Sequence, residues 1–394
     1  MRNVGTIVRG IRTPIIKTND DLASIVVDSL MKAKESEGFE FRDKDIVAIT
    51  EAVVGISEGN YVTVDDIAED LKEKFPEREI GLVYPILSRN RFSMILKGIA
   101  RGMNKITILL SFPSDEVGNG IMDEDKLDNS AYDLGSIISE KEYFETFGDW
   151  LHPFTGINMV NYYRELCNGE NCEVKFVFSN KASDILAYTN NVLNCDIHTR
   201  EKTKKMLKEK GANCYCLTDV MNKPINNSGC NPKYGLLGSN KATEERLKLF
   251  PAKGDVLVNE VQKRLKDLTG KNIEVMVYGD GAFKDPVGKI WELADPVVSP
   301  FYTKGLEGTP NEIKLKYVSD NKFANLRGEE LKEAIRNEIR NKEKDLKGQN
   351  ISLGTTPRRL TDLIGSLCDL TSGSGDKGTP VVFIQGYFDN LADD

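Results

Sequence analysis

Short apolar runs that end in polar, glycine-bearing loops recur along this chain, and they limit the fold more than any other feature. The clearest runs are Asp45 to Thr50, Ile273 to Tyr278 and Pro380 to Ile384. Each has the length of a buried strand and is rich in β-branched residues. Apolar positions within 22–33 and 255–269 recur at helical spacing, and the helix stops Gly38 and Gly270 follow them. The pattern predicts an α/β or mixed α+β protein with mixed sheets.

Composition and charge exclude several classes of function. The chain has 394 residues, of which 40% are hydrophobic and 29% charged, as is typical of a globular protein that is soluble. Its net charge of −8 argues against a nucleic acid or a membrane surface as the main partner. No apolar run reaches the roughly 20 residues that cross a bilayer, and no signal peptide precedes the first predicted strand. With an odd number of cysteines, 7, these features predict a cytoplasmic protein.

The organisation predicted from the sequence has three parts. Residues 1–112 form an N-terminal β-α-β part, and residues 113–170 are acidic and irregular, as expected of an insertion. Residues 171–394 are the remainder of the same domain. They include a charged helical insertion near 320–350.

The segment from Gly10 to Leu22 joins a cationic loop to the start of a helix. Its proline, Pro14, fixes one φ angle and favours extended backbone just before it, and Thr18 or Asn19 is expected to cap the helix. Backbone N–H groups and Arg12 can together bind an anion such as a phosphate. An ordinary capped junction that binds nothing is the alternative.

A carboxylate pair follows the predicted strand of residues 273–278. Asp280 lies between Gly279 and Gly281, and Asp285 can supply a second carboxylate. In α/β proteins the carboxyl ends of strands commonly carry metal and phosphate chemistry, and flanking glycines let a ligand approach the backbone. The sequence therefore predicts a metal site here, with a self-capping turn as the alternative.

Three other polar segments offer groups that can bind a ligand. They are Thr50 to Asn60, Tyr234 to Asn240 and Thr371 to Gly378. In the last of these, serines, glycines and Lys377 can form an anion nest, although a flexible surface turn explains them equally well. Asn240 can present its amide to a nucleobase or ribose, or stabilise a turn. Taken with Arg12 and Asp280, these segments suggest one shared site.

In order and content, these segments resemble those of the coenzyme F420:L-glutamate ligase family, whose members are γ-glutamyl ligases. The resemblance rests on five segments, which are Gly10 to Leu22, Thr50 to Gly59, Gly235 to Asn240, Gly279 to Gly281 and Leu363 to Ile384. They follow the family's order and reach both ends of the chain. The chain is thus identified as a divergent member, which implies the family's unusual α/β fold and an intertwined homodimer.

The resemblance also implies an activity. Family members join L-glutamate to a small carboxylate with GTP and a divalent cation, Mg²⁺ or Mn²⁺. The nucleotide (GTP, or ATP) phosphorylates the acceptor, which is the F420 precursor or a folate-like compound, and the glutamate amine then displaces phosphate from the acyl phosphate.

Residues that match the family motifs inherit expected roles. Those expected at the nucleotide are Arg12, Thr13, Pro14, Ile15, Thr50, Glu51, Asn240, Ser372, Gly373, Ser374 and Lys377. Asp280 is expected to hold the metal, with Asp285 beside it. No catalytic residue is assigned.

Several positions depart from the family pattern, among them Asn60, where the family usually has Arg, and the turn of residues 281–283 after Asp280. Leu237 stands where the family has a metal-binding Asp, and Ala52 and Ile56 stand at its lysine positions. Either other carboxylates, such as Asp219 or Asp285, rebuild the site, or the chain is a non-catalytic paralogue that binds a nucleotide or metabolite. The sequence leaves open the acceptor, the number of glutamates added and the nucleotide base.

Overall fold

The computed structural model describes residues 4–153, 155–279, 300–354, 359–371 and 375–393. Its strands are β1 (Ile7–Ile11), β2 (Ile46–Thr50), β3 (Tyr61–Thr63), β4 (Glu79–Val83), β5 (Lys105–Leu110), β6 (Ile138–Ser139), β7 (Glu173–Phe178), β8 (Asn191–Asn194), β9 (Asn213–Cys216), β10 (Asn240–Lys241), β11 (Arg246–Lys248), β12 (Glu274–Tyr278), β13 (Phe301–Tyr302) and β14 (Val381–Gln385). Its α-helices are α1 (Leu22–Glu37), α2 (Glu51–Glu58), α3 (Val64–Lys74), α4 (Phe92–Gly102), α5 (Glu124–Asp128), α6 (Glu140–Phe147), α7 (Met159–Gly169), α8 (Arg200–Glu209), α9 (Gly254–Thr269), α10 (Leu315–Asn321), α11 (Gly328–Arg340) and α12 (Leu360–Thr371).

The first sheet has five strands in the order β1-β14-β2-β12-β13. Every residue of β2, β12 and β14 is buried, because helices cover both faces. Alternate side chains of a strand enter opposite cores. Val47 and Ile49 join the core under α1 and α9, whereas Ile46 and Ala48 join the core under α12. This double burial explains why the three strands are continuous apolar runs in the sequence.

Strand directions bring four chain segments to one edge of this sheet. β2 and β12 are parallel, and β14 lies between β1 and β2, antiparallel to both. The carboxyl ends of β1, β2 and β12 therefore lie at the same edge as the beginning of β14. Arg12, Glu51 and the residues that precede Val381 all lie at this edge.

The second sheet has six strands in the order β6-β7-β5-β4-β8-β9. Five of the strands, β7, β5, β4, β8 and β9, are parallel to one another, and β6 is an antiparallel edge strand. Helices α3, α4 and α7 supply residues to the core on one face, and α8 supplies Leu207 to the core on the other. The chain runs from β4 outward to β5 and β7, then returns to β8 on the opposite side of β4. The strand order therefore reverses beside β4.

A third, small antiparallel sheet has the strand order β10-β11-β3. Along the chain, β3 lies between β2 and β4, and β10 and β11 lie between β9 and β12. Leu247 in β11 pairs with Val62 in β3, and both are buried in the core of the six-stranded sheet. Asn240 in β10 pairs with Lys248 in β11.

The mixed α/β class predicted from the sequence is confirmed. Gly38 and Gly270 end α1 and α9 in the left-handed conformation, as predicted. The predicted helix cap was wrong: the cap of α1 is Asp21, whose side chain accepts a hydrogen bond from the backbone N–H of Ser24. Asn19 instead has a φ of 68° in the turn before it.

Two segments that the sequence assigns to loops contain helices. Residues 51–58 form α2, whose buried Val54 belongs to the core of the five-stranded sheet. Residues 113–170 include α5, α6 and α7, and Tyr143 and Tyr163 of this segment are buried in the core of the six-stranded sheet. The division into domains stays a prediction. Among the helices that the structure describes, none combines the length and the apolar character that a membrane crossing requires.

Candidate functional site

Backbone hydrogen bonds bring three of the predicted segments together at the edge of the five-stranded sheet. The N–H of Thr13 donates to the carbonyl oxygen of Gly378 at 3.2 Å, and the N–H of Thr50 donates to that of Pro380 at 2.9 Å. The stretch before β14 is thus held between the loop after β1 and the loop after β2. The structure therefore brings together Thr13, Thr50 and the neighbourhood of Lys377.

A groove of about 920 Å³ opens between the loop after β1, helix α1 and the stretch before β14. Arg12, Thr13, Pro14 and Lys377 line it, together with Lys32 on α1. Its volume is ample for a nucleotide, since ligand sites commonly measure roughly 300–1,000 Å³. In the described lining the basic side chains of Arg9, Arg12, Lys32 and Lys377 outnumber the acidic side chain of Glu37. They favour an anion, in contrast to the chain's net charge of −8.

Ile15 does not belong to this groove. Its side chain is 88% exposed and is absent from the described lining. Only its backbone follows the same loop as Arg12 and Thr13.

A buried polar cluster lies one residue beyond Thr50. One carboxylate oxygen of Glu51 accepts a hydrogen bond from the Asn240 side-chain amide at 3.1 Å, and the other lies 2.6 Å from the Lys248 ammonium. Glu51 and Lys248 are only 4% and 6% exposed. The amide nitrogen of Asn240 is thus turned towards Glu51, which leaves its carbonyl oxygen as the group for a ligand.

Helix α2 positions this carboxylate. Thr50 precedes the helix in extended conformation, so Glu51 is its first residue and lies in the positive end of the helix dipole. A Cβ at Gly55 would lie 3.0 Å from Lys248 Cδ and 3.2 Å from the carbonyl oxygen of Leu249. The glycine therefore lets β11 approach α2 closely enough for the ion pair.

Lys248 is a site residue that the sequence reasoning missed. It is the last residue of β11 and lies between Leu247 and Leu249, both fully buried. A cation in such a run must have a buried anionic partner, because an unpaired charge is too costly to bury. That signal was available in the sequence, although the partner was not.

Glu58 ties the end of α2 to the segment before α9. Its carboxylate accepts hydrogen bonds from the N–H groups of Ala252 at 2.7 Å and Lys253 at 3.0 Å. Burial raises the pKa of Glu58, although these two donors and the Lys253 charge oppose the shift. The turn between the candidate site and α9 is thus anchored by a desolvated carboxyl group.

Several predicted residues lie outside the described residues. They are Asp280, Asp285, Ser372, Gly373 and Ser374. The described chain reaches Gly279, and Tyr278 pairs with Thr50 in the parallel register of β12 and β2. Within the described ranges, no cluster of three or more His, Cys, Asp or Glu side chains suits a metal ion.

The structure does describe Asp219, a candidate to replace a metal ligand, and Leu237, which stands where the family has a metal-binding Asp. Asp219 accepts from the Lys204 ammonium at 2.6 Å and from the Cys216 N–H at 2.6 Å, so it is engaged beside β9. Leu237 is 3% exposed and packs with Ile197, Tyr234 and Phe250. Leu237 thus occupies an apolar cluster.

No curated protein matches the chain significantly. Residues 10–386, nearly the whole chain, match the model of a family described as F420-0:Gamma-glutamyl ligase. The matched range includes every segment at the edge of the five-stranded sheet and the entire six-stranded sheet. The chain therefore belongs to the F420-0:gamma-glutamyl ligase family.

Proposed function

We propose that this protein is an amide-forming ligase that uses a nucleotide and a divalent metal to join L-glutamate to a small carboxylate through an acyl phosphate. GTP is the expected nucleotide, with ATP as the other candidate, and the expected acceptors are the F420 precursor or a folate-like compound. The proposal goes beyond family membership, which supports a ligase role alone.

One observation carries the proposal. Arg12 and Lys377 line one groove, and the backbone of the same two segments is joined by the hydrogen bond from Thr13 to Gly378. Guanidinium and ammonium groups that line one groove are suited to hold a polyphosphate chain. The groove is adjacent, through Thr50, to the buried cluster of Glu51, Asn240 and Lys248.

The residues suggest separate roles. Arg12 and Lys377 would neutralise the nucleotide's phosphates, and backbone N–H groups of the loop after β1 would orient them. The Asn240 carbonyl oxygen, held by the bond from its amide to Glu51, would accept a hydrogen bond from a sugar or base. A divalent cation, for which Asp280 and Asp285 are the candidate ligands, would supply neutralisation of the charge on the transferred phosphoryl group.

A non-catalytic paralogue that binds a nucleotide or metabolite is the second candidate. The observation that favours it is Leu237, which packs in an apolar cluster where the resemblance leads one to expect a metal-binding Asp. Such a protein would keep the basic groove and lose dependence on the cation.

A thermal-shift matrix separates the two candidates. GTP, ATP, GDP and Mn²⁺ are added alone and in pairs, and a ligand at 100 times its Kd should add about 2.7 kcal/mol to the free energy of unfolding. A ligase should show a larger shift for nucleotide with Mn²⁺ than the two single shifts predict. Asp280→Ala should abolish this synergy, whereas Asp267→Ala, at an exposed position on α9, should keep it.

Turnover is then measured as glutamate-dependent release of GDP or ADP with each expected acceptor. Glutamate-dependent release in the wild type and its loss in Asp280→Ala would support the ligase. A nucleotide shift that is indifferent to Mn²⁺, with no release, would favour the binding paralogue. Unchanged turnover in Asp280→Ala would remove that residue from the metal role.

A further inference from the structure

A second cavity, of about 480 Å³, lies at the carboxyl edge of the six-stranded sheet and shares no described lining residue with the basic groove. Its walls come from loops that follow four parallel strands: residues 86–91 after β4, residues 117–120 after β5, Ile197 after β8 and Leu217 after β9. The strand order of this sheet reverses between β4 and β8. In open α/β sheets this reversal creates a crevice that commonly holds a ligand.

The described lining of the cavity combines apolar side chains with two arginines. The apolar side chains of Phe92, Ile95 and Met159 are among its walls. The charged groups in the described lining are Arg89 and Arg91, and no Asp or Glu belongs to that lining. Arg89 is exposed, so its guanidinium is accessible to a ligand. In an acidic protein, such a cavity selects anions.

Ser239 provides an independent sign of a missing ligand. It lines the cavity and is 1% exposed, yet its Oγ has no hydrogen-bond partner in the part of the chain that the structure describes. A buried hydroxyl normally has a partner, because leaving one unpaired costs about 1–3 kcal/mol. A ligand atom in the cavity would supply it.

The walls are held rigidly from behind. Asp115 is buried and accepts hydrogen bonds from the N–H of Leu87 and of Val117 at 2.8 and 3.1 Å, and Asn119 donates to it twice. Tyr163 donates its hydroxyl to the Ile86 carbonyl oxygen at 2.6 Å. Burial raises the pKa of Asp115, although the hydrogen bonds from Leu87, Asn119 and Val117 oppose the shift. A preorganised cavity of this kind binds without a large ordering cost.

We propose that this cavity is a binding site for a small organic anion with an apolar, ring-sized body. Arg89 receives the anionic group, the apolar walls receive the ring, and Ser239 donates a hydrogen bond to a polar atom of the ligand. Its volume lies within the range of ordinary small-molecule sites, roughly 300–1,000 Å³. The site shares no described lining residue with the basic groove, although Leu237 and Ser239, which line it, belong to the segment that also carries Asn240.

The test uses 2-naphthoate as the probe and its neutral analogue 2-naphthamide as the comparison, with isothermal titration calorimetry on the full chain. Nucleotide, metal and glutamate are left out, so the outcome does not depend on the proposed ligase activity. The wild type should bind the carboxylate about tenfold more tightly than the amide, and Arg89→Ala should remove most of that preference. Lys202→Ala removes an exposed cation of the same unit outside the cavity and should change nothing.

Ser239→Ala separates a ligand contact from a structural role. It should weaken 2-naphthoate binding about threefold and leave the unfolding temperature unchanged or slightly higher, because the hydroxyl that it removes has no described partner. The proposal is overturned if the wild type binds neither compound, if it does not prefer the carboxylate, or if Arg89→Ala and Ser239→Ala bind 2-naphthoate as the wild type does.

Discussion

The Lys248 ammonium lies 2.6 Å from a carboxylate oxygen of Glu51, and both side chains are almost completely buried. Glu51 is the first residue of α2, and Lys248 is the last residue of β11. This pair connects the edge of the five-stranded sheet to the small sheet that packs on the six-stranded one.

Lys248→Met should lower the free energy of unfolding by about 3–5 kcal/mol, because it leaves a buried carboxylate without its cation. Urea denaturation measures the loss. Lys205→Met is the matched control, since Lys205 and Glu209 form an exposed pair at 3.9 Å and such pairs contribute only about 0–1 kcal/mol. Equal losses in the two variants would contradict a special role for the buried pair.

Gly55→Ala should destabilise the protein by about 1 kcal/mol, because overpacking against Lys248 and Leu249 outweighs the gain in helix propensity. Gly169→Ala is the control. That glycine also lies in a helix, and a Cβ there would meet nothing within 4 Å. The control should be neutral or slightly stabilising. A stabilising Gly55→Ala would show that α2 and β11 need no close approach.

Arg12→Ala and Lys377→Ala should each weaken GTP binding about tenfold, since each removes one charge-assisted contact to phosphate. Both side chains are exposed, so the unfolding temperature without nucleotide should stay unchanged. Lys17→Ala removes an exposed cation of the same loop that does not line the groove and should bind GTP normally. Equal weakening in all three variants would indicate a general charge effect rather than a groove.

Glu116 should make stability depend on pH. Burial, with a further contribution from Asp196, raises the pKa of Glu116 from its ordinary value of 4.5 to about 8, although the N–H groups of Ile197 and His198 oppose the shift. Between these two values the folded protein binds more protons than the unfolded chain, so stability should fall as pH rises from about 4.5 to 8.

Glu116→Gln, a mimic of the protonated group, should flatten this dependence. The unfolding temperature is measured from pH 5 to about 8.5, and the advantage of the variant over the wild type should grow with pH. Glu145→Gln, at an exposed position on α6, should leave the slope of the wild type unchanged. Parallel curves for wild type and Glu116→Gln would contradict the raised pKa.

The elements that could be predicted from the sequence are those whose signal is local. Strands β2, β12 and β14 are buried on both faces, so their apolar runs are unbroken, and the left-handed Gly38 and Gly270 end their helices as expected. Helix α2 was missed for an equally local reason. The polar segment from Thr50 to Asn60 has the composition of a loop, whereas its Gly55 lies in a helix at the point where β11 passes close to it.

The candidate site was only partly predictable because its contacts join distant segments. The sequence named Thr13, Thr50, Glu51 and Asn240 separately, and the structure connects them through the stretch before β14 and through the Glu51 carboxylate. Lys248 was missed because its partner is 197 residues away. The order of strands in the six-stranded sheet, and with it the cavity beside Ser239, likewise depends on long-range pairing that no local pattern encodes.

The position of β14 has a consequence for biosynthesis. This strand lies between β1 and β2, although it follows every other described strand along the chain. The strands from β4 to β9 are complete once residue 216 has emerged, so that sheet can form during translation. The nucleotide groove, by contrast, can assemble only after residues 377–385 are released. A nascent chain that stalls before them would carry the six-stranded sheet, with β1 not joined to β2 and β12, and its unpaired strand edges would make it a substrate for chaperones.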